Sequence, residues 1–148
     1  MGDPPKIYSL ECRKGITGIE EVWDPARKKY VTLTPEEWVR QQFIRMLKEQ
    51  YQYPYSLMGV EKGLKYHALQ KRTDLICFDR QGKPVLLAEF KHPEVALTEE
   101  TYFQSALYMH SVGALWIVLH NFKETLIWRK DESGEFIAES SIPIFSAS

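Results

Sequence analysis

Cysteine is scarce in this chain of 148 residues: Cys12 and Cys77 stand far apart and are too few for a disulfide framework. Cys77 sits in an apolar, strand-like run and reads as a buried thiol. No apolar run approaches the ~20 residues needed to cross a bilayer. The opening Met1-Gly2-Asp3-Pro4-Pro5-Lys6 has neither the basic n-region nor the apolar h-region of an export signal. A reducing cytoplasm and no membrane are therefore expected. A Gly-rich phosphate loop of the Walker type is missing. His67, His92, His110 and His120 lack the spacing of zinc ligands. Positive charge is not in surplus either: 19 Lys/Arg against 20 Asp/Glu leave a net charge of −1, far from the basic balance typical of nucleic-acid binders.

What is present suits one domain with its own core, since 44% hydrophobic and 26% charged residues are ordinary for a globular chain of this length. The charge is uneven. Residues 1–72 carry 13 Lys/Arg against 9 Asp/Glu, and residues 73–148 carry 6 against 11. The basic half can supply a phosphate-facing patch, and an acidic half suits cation-binding carboxylates. Residues 1–148 read as a single domain, with an extended arm or hairpin at 1–33, a core at 34–130 and a C-terminal tail at 131–148.

Ile19–Trp23 and Tyr30–Leu33 flank the turn-like Asp24-Pro25-Ala26-Arg27, which suggests a hairpin. A helix is predicted from about Pro35 to Gln50. Thr34 is its N-cap, Pro35 its first position, and Glu37 completes a Thr-x-x-Glu capping box, while Val39, Phe43, Ile44 and Leu47 form an apolar stripe. Three strands follow at about 57–64, 73–79 and 84–90. A second helix is expected to open at Leu97-Thr98-Glu99-Glu100 and stop near Gly113. The unbroken run Ala114–Leu119 marks a strand covered on both faces, and Thr125–Trp128 an edge strand. The expected class is mixed α/β: a central mixed sheet flanked by helices, in the order helix–strand–strand–strand–helix–strand.

The second and third strands are joined around Gln81-Gly82, read as a two-residue hairpin turn. In that register Asp74 lies opposite Glu89, Arg72 opposite Lys91, Ile76 opposite Leu87, and Phe78 opposite Val85, so an apolar face ends in four charges. Adjacent carboxylates repel unless a positive charge sits between them. A hard divalent cation such as Mg²⁺ answers that need, with Lys91 placed to assist the attacking water and Arg72 to touch phosphate. Arg72 and Lys91 neutralising Asp74 and Glu89 in a salt-bridged strand end is the plainer alternative. Glu37 reads as a capping residue or a metal ligand, roles that do not exclude each other. Arg40 and Gln41 are expected on a partly exposed helix face, where they are candidates for phosphate contact. The direction of Glu61 is left open. Tyr51, Tyr53 and Tyr55 suit packing under the sheet better than base stacking.

Four ordered stretches carry a resemblance: Thr34-Pro35-Glu36-Glu37-Trp38-Val39-Arg40-Gln41, Arg72-Thr73-Asp74-Leu75-Ile76, Ala88-Glu89-Phe90-Lys91-His92-Pro93, and Thr98-Glu99-Glu100 to Gln104. Together, over roughly residues 24–121, they resemble the N-terminal nuclease domain of type I restriction enzyme R subunits, of the PD-(D/E)xK nuclease superfamily. Thr73 stands where the superfamily's name has Pro. The resemblance implies a restriction-endonuclease-like core and Mg²⁺-dependent DNA cleavage, with Mn²⁺ as a substitute. Asp74, Glu89 and Lys91 would be catalytic. Asp74, Glu89 and the Phe90 carbonyl would hold the metal, with Glu37 at the position of a first-helix Glu. Gln104 matches a recurrent Gln of the second helix and joins Arg72, Arg40 and Gln41 as a DNA-contact candidate. The helicase motor of an R subunit has no counterpart in these residues, so the expected nuclease works alone, as a homodimer or with a separate protein. The rival reading is a catalytically silent nucleic-acid-binding or protein-interaction module with the same fold.

Overall fold

A computed structural model describes residues 4–66, 69–98 and 113–146, with side chains throughout except at 62–73. Three short strands come first: β1 (Cys12–Lys14), β2 (Glu20–Asp24) and β3 (Lys29–Thr32), an antiparallel sheet in the order β1-β2-β3. β2 and β3 form the hairpin suggested by Asp24-Pro25-Ala26-Arg27. Asp24 Oδ1 accepts the Ala26 and Arg27 N–H groups, which ties the turn to its first residue.

Helix α1 (Pro35–Tyr51) starts where its cap predicts, with Thr34 Oγ1 accepting the Glu37 N–H at 3.0 Å. It ends at Gln52, which takes the left-handed conformation (φ 67°) and donates its N–H to the Leu47 carbonyl. A 3₁₀ turn (Tyr55–Leu57) leads into β4 (Met58–Tyr66), β5 (Leu69–Phe78) and β6 (Pro84–Phe90). Beyond residue 112 come β7 (Trp116–His120), β8 (Thr125–Lys130) and β9 (Phe136–Glu139). These six strands make one mixed sheet in the order β4-β5-β6-β7-β8-β9, antiparallel throughout except for the parallel pair β6–β7.

The apolar stripe of α1 (Val39, Phe43, Ile44, Leu47) packs on one sheet face against Leu75, Cys77, Leu86, Ala88, Phe90 and Val118. Ile76, Leu87, Ala114 and Ile117 form a second buried cluster. β6 and β7 therefore bury both their faces, as the unbroken run at Ala114–Leu119 implied. Tyr53 is buried, its hydroxyl donating to the Pro143 carbonyl at 2.8 Å, while Tyr51 and Tyr55 pack against the same core.

Several expectations need correction. The order helix–strand–strand–strand–helix–strand does not hold: a three-stranded sheet precedes α1, two strands follow β7, and α1 is the one α-helix among the described residues. The expected second helix and Gln104 lie outside them. β8 is not an edge, because residues 131–148, expected as a tail, contribute β9 beyond it and the core residue Ile142.

The turn between β5 and β6 is also longer than expected. Asp79 and Lys83 pair across a three-residue loop, Arg80-Gln81-Gly82, with Gly82 at φ 82°. Phe78 therefore pairs with Pro84 and not Val85. A bulge at Cys77/Phe78 then absorbs one residue and restores Cys77↔Leu86, Ile76↔Leu87 and Leu75↔Ala88. Because a one-residue slip exchanges faces, Val85 packs on the α1 side while Phe78 packs on the other. Past the bulge the anticipated register holds as far as Leu75↔Ala88, and the expected Asp74–Glu89 and Arg72–Lys91 pairs fall beyond the end of the ladder.

Candidate active site

Asp74 and Glu89 stand one residue beyond the last β5–β6 pair, Leu75↔Ala88, and both line a cleft of about 710 Å³. Its other walls come from β3 and the cap (Val31, Thr32, Thr34), the first turn of α1 (Glu36, Glu37, Arg40), Glu61 of β4, and Phe90 and Lys91. Lys91 follows the last residue of β6, and its N–H donates to the His120 carbonyl of β7 at 3.1 Å. The parallel neighbour thus anchors the chain where the antiparallel ladder has already stopped.

Asp74 is oriented by main chain. Its Oδ2 accepts the Phe90 N–H at 2.8 Å, and among the described residues nothing donates to Oδ1. Burial pushes its pKa above the ordinary carboxylate value, and nearby Glu61 adds to that. The Phe90 N–H and the charges of Arg40 and Lys91 oppose the shift without cancelling it. Among the described residues Asp74 makes no ion pair; the Arg72 side chain, one of the two cations of the salt-bridged alternative, lies outside the described atoms.

Glu37 occupies the back of the cleft in a different state. Oε1 accepts Arg27 Nη2 at 2.7 Å and Arg40 Nη2 at 2.6 Å, while Oε2 accepts Arg40 Nε and Gln41 Nε2, both at 3.0 Å. Burial alone would raise its pKa, but the hydrogen bonds from Arg40, Gln41 and Arg27 outweigh it and hold the carboxyl below the usual range. Both oxygens are saturated by cationic and amide donors, which argues against Glu37 as a metal ligand. The capping box is half-formed: Thr34 caps Glu37, but the Glu37 carboxylate turns to the arginines.

Arg40 and Gln41 are not on an exposed face. Gln41 is fully buried and Arg40 is 7% exposed. Their polar ends hydrogen-bond within the protein, so the expectation of an exposed helix face for this pair is corrected. The cause is the carboxylate one turn earlier, which draws both side chains inward along the helix. Burial would lower the pKa of Arg40, but Glu37 and Glu61 raise it above the ordinary guanidinium value, so it stays charged.

Sequence reasoning left Glu61 undecided, and the structure places it at the cleft, with Oε1 accepting Arg40 Nη2 at 2.9 Å. That hydrogen bond holds its pKa below the usual value. Its backbone takes φ 53°, a conformation no strand pattern announces. Arg27, from the β2–β3 turn, was missed for a similar reason: its partner Glu37 lies on another element. The Arg72 backbone pairs with Gly63, and its side chain lies outside the described atoms.

Among the described residues no three His, Cys, Asp or Glu side chains are gathered as a ready-made metal cage. The site is instead two neighbouring carboxyl residues, one oxygen-bearing main chain and one lysine, in a cleft whose depth is already charge-compensated. The class so defined is a mixed α/β domain with an acidic cleft at the diverging end of a hairpin. The chain belongs to the family Type I restriction enzyme R protein N terminus, whose model matches residues 35–143. No curated protein matches the chain. No described helix is long and apolar enough to cross a membrane.

Proposed function

We propose that this domain is a restriction-endonuclease-like nuclease that hydrolyses phosphodiester bonds in DNA with Mg²⁺, using Asp74, Glu89 and Lys91. The observation that carries the reading is that all three line one cleft, in which Asp74 is half-buried and its Oδ1 meets no donor among the described residues. Membership of a restriction-enzyme subunit family supports DNA as the substrate.

The donors suit a hard cation. Mg²⁺ commonly takes one or two carboxylates and completes its shell with waters and phosphate oxygens, so a three-carboxylate cage is not required. Asp74, Glu89 and the Phe90 carbonyl would hold it, and the raised pKa of Asp74 marks a carboxylate that gains from a positive neighbour. The bound ion would acidify a water and neutralise charge developing on phosphate. Lys91 holds the attacking water and stabilises the phosphoryl oxygens as charge builds. The Phe90 N–H keeps Asp74 from rotating away, and Glu37 acts as counter-ion to the arginines behind the site.

A plasmid-cleavage assay in Mg²⁺ or Mn²⁺, run beside Asp74→Ala and paired with calorimetric metal titration, tests the proposal. Metal-dependent nicking that vanishes in Asp74→Ala is expected. Metal binding without nicking by the wild type would replace this reading with a silent DNA- or protein-binding module. No binding at millimolar metal would remove the metal site.

A further inference from the structure

Lys91 stands one residue past the end of β6, where the β6–β7 ladder closes with Phe90↔His120. Its N–H still donates to the His120 carbonyl at 3.1 Å, but the chain then turns away from the sheet. Val95 donates its N–H to the His92 carbonyl at 2.9 Å, and Glu94, Val95 and Ala96 are exposed. A lysine ammonium rides on a flexible four-carbon stem, so its place in the cleft depends on how firmly the main chain is held on both sides of it.

Asn121 holds the far side. It is 2% exposed, and both ends of its amide are used: Nδ2 donates to the Val95 carbonyl at 2.8 Å, and Oδ1 accepts the Glu124 N–H at 2.7 Å. Those partners fix which end is nitrogen, because a carbonyl only accepts and a backbone N–H only donates. One side chain thereby ties the turn after Lys91 to the turn between β7 and β8. That second turn is itself firm. Its ladder closes at His120↔Thr125, and the Asn121 N–H donates to the Glu124 carbonyl at 3.2 Å. Phe122 (φ 80°) packs edge-on against Trp38 of α1, with ring centroids 4.7 Å apart. The Lys123–Glu94 ion pair spans the same two turns, but both its ends are exposed and it adds little. Lys91 thus lies between two anchors, the His120 carbonyl at its own N–H and the Asn121 amide at Val95.

We propose that Asn121 is a positioning residue for Lys91: its amide pins the His92–Val95 turn to the β7–β8 turn and so fixes the main chain from which Lys91 enters the cleft. Its effect on cleavage rests on the nuclease reading, whereas the pinning is measurable without DNA or metal.

Full-chain Asn121→Asp and Asn121→Ala variants test it. Asn121→Asp keeps the acceptor for the Glu124 N–H and sets an oxygen against the Val95 carbonyl, while Asn121→Ala removes both amide bonds without adding charge. The Lys91 amide is expected to exchange about tenfold faster or more in both, with the Leu87 and Val118 amides keeping wild-type protection. Single-turnover plasmid cleavage in Mn²⁺ is expected to fall about ten- to a hundredfold, the scale of a misplaced reacting group. Calorimetric Mn²⁺ affinity should stay unchanged, because Asp74 and Glu89 lie on β5 and β6. Adding Lys91→Ala separates positioning from scaffolding: if Asn121 acts through Lys91, the double variant cleaves no more slowly than Lys91→Ala alone. Losses that multiply in the double variant, unchanged Lys91 protection, or equal acceleration at Leu87 and Val118 overturn the proposal. A wild type that cleaves no DNA defeats the nuclease reading, and the exchange result still decides the pinning.

Discussion

Asp74 Oδ2 accepts the Phe90 N–H at 2.8 Å across two strands whose pairing ended one residue earlier. The acid is therefore oriented by the peptide that lies between Glu89 and Lys91 in sequence, and any movement of β6 carries all three residues together. Orientation has a cost, since partial burial raises the pKa of this carboxylate more than the Phe90 N–H, Arg40 and Lys91 lower it.

That cost predicts the stability of Asp74→Asn. The folded pKa lies above the unfolded value of 3.8, so folding favours the protonated form. The penalty is absent below pH 3.8, grows as pH rises and is complete above the folded pKa. Metal-free Asp74→Asn should therefore melt higher than wild type at pH 7, with the difference closing below pH 3.8. Thermal melts across pH check this, and a lower melting point at pH 7 counts against a desolvated carboxylate.

Lys91 should separate binding from chemistry. Lys91→Ala is expected to retain Mn²⁺ binding and lose plasmid cleavage by on the order of 10²–10³-fold, the scale of removing one donor to developing charge. Calorimetry beside single-turnover cleavage reads both. Equal losses in both would make Lys91 a structural partner of the carboxylates.

His120 gives an acid-side transition of its own. It is buried between Phe43 and Phe90, with Nδ1 2.8 Å from Thr125 Oγ1, and burial lowers its pKa to about 4 from 6.5. Folding favours the neutral ring, so its stabilisation is complete above pH 6.5 and is lost as pH falls toward 4. The full effect is roughly 3 kcal/mol. Denaturant unfolding between pH 7 and 4 should show this slope, and His120→Gln should flatten it.

The helix start carries a smaller test. Thr34→Ala removes the acceptor of the Glu37 N–H and should cost about 1 kcal/mol. In a chain of this size that lowers Tm by roughly 2–4 °C. A loss of metal affinity larger than this stability change would show that the cap also steadies Glu37 and the arginines behind the cleft.

Much of this protein is legible without coordinates. The bounds of α1 follow from Thr34, Pro35 and an apolar stripe, all local signals. β6 and β7 follow from unbroken apolar runs, because a strand covered on both faces has no polar side. The β5–β6 hairpin brings Asp74 near Glu89 through short-range chain geometry, and that too could be read. Even there two departures offset each other: the loop is one residue longer than expected, and the bulge at Cys77/Phe78 takes the extra residue back.

What the linear order of residues determined by itself was therefore the elements, their caps, and the hairpin whose open end carries both acids, since each depends on neighbours a few positions apart. Only the tertiary structure decided that Glu61 faces the cleft, that Arg27 reaches Glu37, and that Arg40 turns inward to Asp74. Those contacts join residues 10 to 34 positions apart. They form because buried charges must find opposite charges wherever the packed elements bring them, a requirement that no periodicity records.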